Sequence, residues 1–288
     1  MQRIPMLQFI RYLPDSAILC HNSDRRKLES IPLLKGESFS FQFSNWKYCT
    51  GHFGNGSAGY VPCAKPIIRG RQCSSCMTSD VLCYKCTGES CFMPGMAESC
   101  AKGEWSIYLA IIGDLPKVGV TSRERFGTRL LEQGADYGME LARVTGGLES
   151  RMAERVIAGL LGAKMVVSKK KKLDSLGAPL PLEKAQEIAA GAKEKLAAYF
   201  EPPKDSDLIS FLSHYPQAMG DAELVEDLSL GGKFLGKKGT FLFFESNGGK
   251  YVSEMSSFEG RMIDIADGTD TSQADGTHMA IHRLHNMF

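Results

Sequence analysis

The clearest chemistry in this chain lies in its thiols. Nine cysteines occur, and eight of them fall between Cys49 and Cys100. Cys73-Ser-Ser-Cys76 and Cys83-Tyr-Lys-Cys86 each place two sulfurs two residues apart, with Cys91 and Cys100 following. A Cys-x-x-Cys turn aims both sulfurs at one centre, and two such arms close a tetrahedral zinc site with Zn–S bonds of about 2.3 Å. Disulfides are the competing use of such pairs. Residues Met1 to Cys20, however, mix Arg3, Arg11 and Asp15 into their apolar run, unlike a signal peptide, and thiols of a cytoplasmic protein stay reduced. A redox dithiol would need a strand-to-helix setting that neither pair has. The expectation is therefore two structural zinc ions. Cys49, Cys63, Cys73 and Cys76 would hold one, and Cys83, Cys86, Cys91 and Cys100 the other, with His52 as a substitute ligand and Cys20 left over.

A second cluster is cationic. Lys169, Lys170, Lys171 and Lys172 are consecutive. Four adjacent lysines cannot share one helix face, which places them in a loop, where they would attract phosphate without reading sequence. The net charge of +1 excludes a strongly basic protein overall, so nucleic-acid contact must rest on such local patches. His278, His282 and His285 near the C-terminus lack a carboxylate or thiol companion and read as surface histidines.

The elements that position these groups can be traced from periodicity. Ser106 to Ile112 is short, apolar and rich in β-branched and aromatic residues, as a buried strand requires. Gly113-Asp-Leu-Pro116 is turn chemistry, and Lys117 to Thr121 returns as the second strand of a hairpin. Arg123 to Gln133 follows as a helix with Phe126 and Leu130 on one face. Arg125, Arg129 and Gln133, spaced by four, share another. Glu140 to Thr145 is a third strand. Leu148 to Leu161 is a helix whose expected apolar stripe is Met152, Ala153, Val156, Ile157, Leu160 and Leu161. Leu182 to Phe200 is a further helix, stopped at Pro202-Pro203. Before this centre, Phe39, Phe41 and Phe43 alternate with polar residues as on a half-buried strand, whereas Pro62 to Cys100 has no period and needs metal cross-links for order. After it, Asn247-Gly248 between two β-rich runs signals a hairpin, and Gly236 and Gly239 signal bulges or a corner.

Strand, strand, helix, strand, helix with this punctuation resembles the GIY-YIG nuclease fold. Tyr108, in Ser106-Ile-Tyr108, stands where that family carries its first tyrosine, and Lys117-Val-Gly119 stands where its second tripeptide falls. Arg129 matches the helix arginine and Glu154 the metal-binding glutamate, with Glu149 as the fallback. Ser106 replaces the family's first glycine, and Lys117 replaces its second tyrosine, which helps to activate the attacking water. The resemblance implies a cleft in which Glu154 holds Mg²⁺ or Mn²⁺, Arg129 neutralises phosphate, and Tyr108 positions or deprotonates water with Lys117 beside it. The whole layout also resembles a family catalogued as a domain of unknown function. That likeness rests on Tyr48-Cys-Thr-Gly51, Gln72-Cys-x-x-Cys76, Cys83-x-x-Cys86-x4-Cys91, Lys117-Val-Gly-Val-Thr121, Glu132-Gln-Gly-Ala135 and Gly236-Lys-Lys-Gly239.

The chain accordingly reads as α+β: a zinc-ribbon-like Cys-rich region, a central GIY-YIG-like three-stranded antiparallel sheet with flanking helices, and a small C-terminal antiparallel β unit. The expected divisions are 1–100, 101–203 and 204–288, with the N-terminal strands as the candidate packing partner of the last. Two functions follow from different classes. One is a metal-dependent nuclease using Tyr108, Lys117, Arg129 and Glu154, with Arg125 and Lys169 to Lys172 contacting nucleic acid. The other is a non-catalytic nucleic-acid-binding module on a degenerate version of the same fold. No apolar run approaches the roughly 20 residues a membrane span needs, which points to a cytoplasmic protein with no membrane partner.

Overall fold

The computed structural model describes residues 6–11, 17–22, 27–54, 60–79, 89, 98, 100–177, 179–201, 203–217 and 219–265. The chain forms two compact units, one of residues 1–82 with 216–288 and the other of residues 83–215. The fold is mixed α+β, with several sheets among the described residues. No helix among the described residues is long and apolar enough to cross a membrane.

The first unit is built on the Ser38–Tyr48 strand. Its alternation becomes alternating burial: Phe39, Phe41 and Phe43 point inward and their polar neighbours outward. One edge of this strand pairs antiparallel with Ser229–Lys238, from Ser229 opposite Gln42 to Lys233 opposite Ser38. The other edge pairs with Arg261–Ile265, which in turn meets Met6–Arg11. Ser229–Lys238, Phe241–Ser246 and Gly249–Glu254 form a meander. Its second turn is Asn247-Gly248, both at positive φ, the conformation for which Asn-Gly is selected. The first strand of the meander shifts register between Phe234 and Gly236, a bulge at a glycine. Phe43 stacks on Phe258 at 4.3 Å between centroids, and Leu230, Phe234, Leu242, Phe244 and Ile263 complete the core.

The second unit holds a four-stranded sheet in the order Ile209–Ser210, Tyr137–Thr145, Glu104–Ile112, Leu115–Ser122. The apolar Glu104–Ile112 strand lies centrally because both its faces are buried by the chain. Leu115–Ser122 is at the sheet edge, where Pro116 is tolerated because its missing N–H costs no ladder bond. The turn is thus shorter than expected, since Leu115 and Pro116 already pair with Ile112 and Ile111. Arg123–Arg125 is a 3₁₀ turn leading into the Phe126–Gln133 helix, and Gly147–Leu161 and Leu182–Leu196 are the longer helices. Ile157, Ala158, Ala185, Ala189 and Ala192 pack on Leu109, Met139 and Leu141.

Two local expectations are corrected here. Met152 and Val156 do not join the apolar stripe; both are about half exposed, and the buried residues of their helix are Gly147, Ser150, Glu154, Ile157 and Ala158. The inward face is narrowed because part of it borders a polar cleft instead of core. The lysine run is not a loop: Lys169–Asp174 is a short helix, and the Ser168 side chain caps it by accepting a hydrogen bond from the Lys171 N–H. Cys83, Cys86, Cys91, His278, His282 and His285 lie outside the described residues.

Candidate functional site

The cleft of the second unit encloses about 680 Å³. Tyr108 enters it from the central strand, Lys117 and Gly119 from the edge strand, Arg129, Glu132 and Gln133 from the Phe126–Gln133 helix. Arg151, Glu154 and Arg155 enter from the Gly147–Leu161 helix, and Met165, Val166 and Lys172 from the segment beyond it. The four residues Tyr108, Lys117, Arg129 and Glu154, scattered over 47 positions of sequence, therefore share one open site.

Tyr108 is fully buried and lies directly across the hairpin from Gly119. A Cβ at residue 119 would come within 2.4 Å of the Tyr108 Cζ and Oη, so only glycine lets the ring lie across the edge strand. Phe126 meets the same ring edge-on at 6.4 Å between centroids. Burial pushes the Tyr108 phenol up, against the pull of the Arg129 guanidinium beside it. Arg129 also donates to Glu132 at 3.1 Å. Glu154, 6 % exposed, accepts from Arg151 at 3.0 Å.

Lys117 is the unusual member. Its ammonium nitrogen lies 5.4 Å from the centre of the Tyr108 ring, and the residue is only 7 % exposed. Burial pulls its pKa down to about 8; Glu154 opposes this, while Arg129, Lys172 and Arg151 reinforce it. A lysine held close to neutrality in a cationic cleft is a group poised for proton transfer or nucleophilic attack.

Several expected residues fall elsewhere. Arg125 is exposed and bound to Glu132 at 2.8 Å, outside the cleft lining. It ends the tighter 3₁₀ turn, so its four-residue spacing from Arg129 is not helical spacing. Of the four lysines only Lys172 lines the cleft, donating to the Gln133 carbonyl at 2.7 Å; Lys169, Lys170 and Lys171 do not line it. Glu149 is exposed and does not line it either. Arg151 and Arg155 are cleft residues that sequence reasoning missed, although their four-residue spacing on the helix bearing Glu154 was a readable signal. Met165 and Val166 gave no such signal. Ser106, the departure from glycine, is buried and donates to Glu140, which is itself clamped by Arg143 at 2.7 Å.

In the first unit, the sulfurs of Cys49, Cys63, Cys73 and Cys76 all lie within 4.8 Å of one another. Tetrahedral Zn–S bonds of about 2.3 Å set their sulfurs roughly 3.8 Å apart, so this spread fits a bound ion after slight contraction. Cys63 and Cys73 are already at 4.0 Å. The Cys73 N–H donates to the Cys49 sulfur at 3.2 Å, an orientation that stabilises thiolate. The Cys76 backbone lowers the Cys73 thiol to about 7, whereas burial raises Cys49 and Cys76. This cluster could hold a metal ion such as zinc. His52 lies outside it, in a short strand opposite Val61. Cys100 packs against Gly147 in the second unit, where an added Cβ would meet its sulfur.

No curated protein and no solved structure matches the chain. A family model described as "Protein of unknown function (DUF2797)" matches residues 36–263, a span that contains both the four-cysteine cluster and the whole cleft. The chain belongs to the DUF2797 family.

Proposed function

We propose that the second unit is a nucleic-acid-handling domain similar to GIY-YIG nucleases, with the cleft hydrolysing a phosphodiester with the help of a divalent metal. The observation that carries this reading is the convergence of Tyr108, Lys117, Arg129 and Glu154, from four separate elements, on one open cleft. The central position of the Glu104–Ile112 strand and the element order strand, strand, helix, strand, helix support it. So does charge: five cations face the cleft against two carboxylates, Glu132 and Glu154.

Each side chain then has a role. Arg129, Arg155 and Lys172 neutralise phosphate oxygens, which matters most as charge builds in the transition state. Tyr108, fixed by Gly119 and Phe126, orients the attacking water, with Lys117 beside it. Glu132 is engaged by two arginines, Arg125 and Arg129, and Glu154 by Arg151 alone, so Glu154 is the carboxylate that a metal would take over from its partner. Mg²⁺ commonly takes one or two carboxylates plus substrate phosphate oxygens, and a single buried glutamate in a cationic cleft fits that donor set. Bound there, Mg²⁺ or Mn²⁺ would supply Lewis-acid polarisation of the phosphoryl group. The Cys-rich region would carry structural zinc, one ion at Cys49, Cys63, Cys73 and Cys76 and a second at Cys83, Cys86, Cys91 and Cys100. Thiolate sites of this kind suit a reducing cytoplasm.

The second reading, a binding module without catalysis, is favoured by the Arg151–Glu154 ion pair, which occupies the metal carboxylate, and by Lys117 in place of a tyrosine. Substitutions decide between them. Glu154→Gln should abolish Mn²⁺-dependent nicking while leaving affinity nearly intact, and Arg129→Ala should damage both. A wild-type protein silent on single-stranded, double-stranded and branched DNA and on RNA, with Mg²⁺ and Mn²⁺ both supplied, leaves only the binder.

A further inference from the structure

We propose that Lys117 is an amine nucleophile that captures the aldehyde of an abasic site in DNA as an imine and promotes strand scission there by β-elimination. The inference rests on the phosphate reading of the cleft but needs no metal. Its basis is geometric. Lys117 lines the cleft, is shielded from bulk water, lies over the Tyr108 ring, and shares the cleft with the cations Arg129, Arg151 and Lys172. Desolvation and neighbouring positive charge are the two devices that make a lysine amine nucleophilic near neutral pH. The same cations would bind the phosphates flanking a lesion, and an abasic sugar is the position in DNA where an aldehyde lies between two phosphates. The cleft volume, about 680 Å³, is within the range of small-ligand sites.

The step balances without an oxidant or reductant. The neutral Lys117 amine adds to C1′ of the ring-opened sugar; a C–N bond forms, the C=O π bond breaks, and the carbinolamine hydroxyl takes a proton from solvent and leaves as water to give the protonated imine. A carboxylate removes the C2′ proton, and Glu154 is the cleft group placed to accept it. The electron pair forms the C2′=C3′ double bond and expels the 3′ phosphate, whose charge Arg129, Arg155 and Lys172 receive. Water then hydrolyses the imine, returning the free amine and an unsaturated aldehyde on the 5′ fragment.

The test uses the full zinc-loaded chain, without added Mg²⁺ or Mn²⁺, with a single-stranded oligonucleotide carrying one abasic site, and with sodium borohydride to reduce any imine to a stable secondary amine. A covalent adduct is expected, mapped by peptide mass spectrometry to Lys117, forming faster as pH rises through about 8. Lys117→Arg and Lys117→Ala should lower its yield at least tenfold. Absence of an adduct, or an adduct mapped to other lysines and undiminished in both variants, overturns the proposal. Because mapping is done on the wild-type chain, the outcome does not depend on the variants folding. Trapping of free glyceraldehyde 3-phosphate with the oligonucleotide left untouched overturns the abasic-site assignment. A tetrahydrofuran-bearing oligonucleotide, which lacks the aldehyde, separates the two readings. Salt-sensitive binding of it without trapping of the abasic strand sinks the imine alone, and no binding at low salt sinks the cleft reading with it.

Discussion

Gly119→Ala tests the packing on which the cleft is built. Gly119 faces Tyr108 across the hairpin, and an added Cβ would come within 2.4 Å of the ring carbon Cζ and the phenolic oxygen. The ring cannot swing away to solvent, since Tyr108 is 1 % exposed and flanked by Phe126. Removing a glycine from a strand otherwise stabilises by about 0.4–1 kcal/mol through the unfolded chain. Overpacking costs about 1–3 kcal/mol, so the net effect is a loss of roughly 1–2 kcal/mol. Tyr108→Ala alone should cost about 3–5 kcal/mol through the lost ring. In that background Gly119→Ala meets open space and becomes neutral or stabilising, giving a coupling of at least about 1 kcal/mol. The chain has two tryptophans, Trp46 in the first unit and Trp105 in the second, and Trp46 is largely exposed. A Trp46→Phe background therefore lets urea unfolding followed by fluorescence report on the second unit. An equal cost for Gly119→Ala with and without the Tyr108 ring refutes the argument.

Lys117→Met should raise stability at pH 7. The folded pKa is depressed from 10.5 to about 8, so the unfolded state binds more protons between those values and stability climbs across that window as pH rises. Below it the buried charge costs on the order of 3 kcal/mol, and urea midpoints at pH 7 and pH 10 that differ equally in wild type and Lys117→Met would contradict this. Lys172→Ala should reduce the slope of log affinity against log salt by about 1, with Lys169→Ala changing it less; equal effects would mean that the cleft is not the phosphate path. Elemental analysis of reduced protein should return one zinc for the cluster of Cys49, Cys63, Cys73 and Cys76, lost on Cys49→Ser, and a second that is lost on Cys83→Ser; less than one equivalent in the wild type would exclude structural zinc.

Periodicity of two and turn chemistry are local properties, and they were legible. Phe39, Phe41 and Phe43 point inward as their alternation requires, and Asn247-Gly248 closes the hairpin because few residue pairs accept positive φ twice. The Cys73-x-x-Cys76 arm likewise announces a metal-competent turn, since two residues suffice to converge both sulfurs. Tertiary structure decided what depends on distant partners. The pairing of Ser38–Tyr48 with Ser229–Lys238 joins residues almost two hundred positions apart, and neither strand encodes the other's register locally. Helical spacing marked Met152 and Val156 as apolar neighbours of Ile157, but the sheet fills only the Ile157 and Ala158 side, and the cleft takes the side of Glu154. Four consecutive lysines look alike in sequence; the Ser168 cap sets the rotation of their short helix, and with it the single ammonium, on Lys172, that reaches the cleft. The proton affinity of Lys117 is the furthest from local information, because burial against Tyr108 and charge from three other elements set it together.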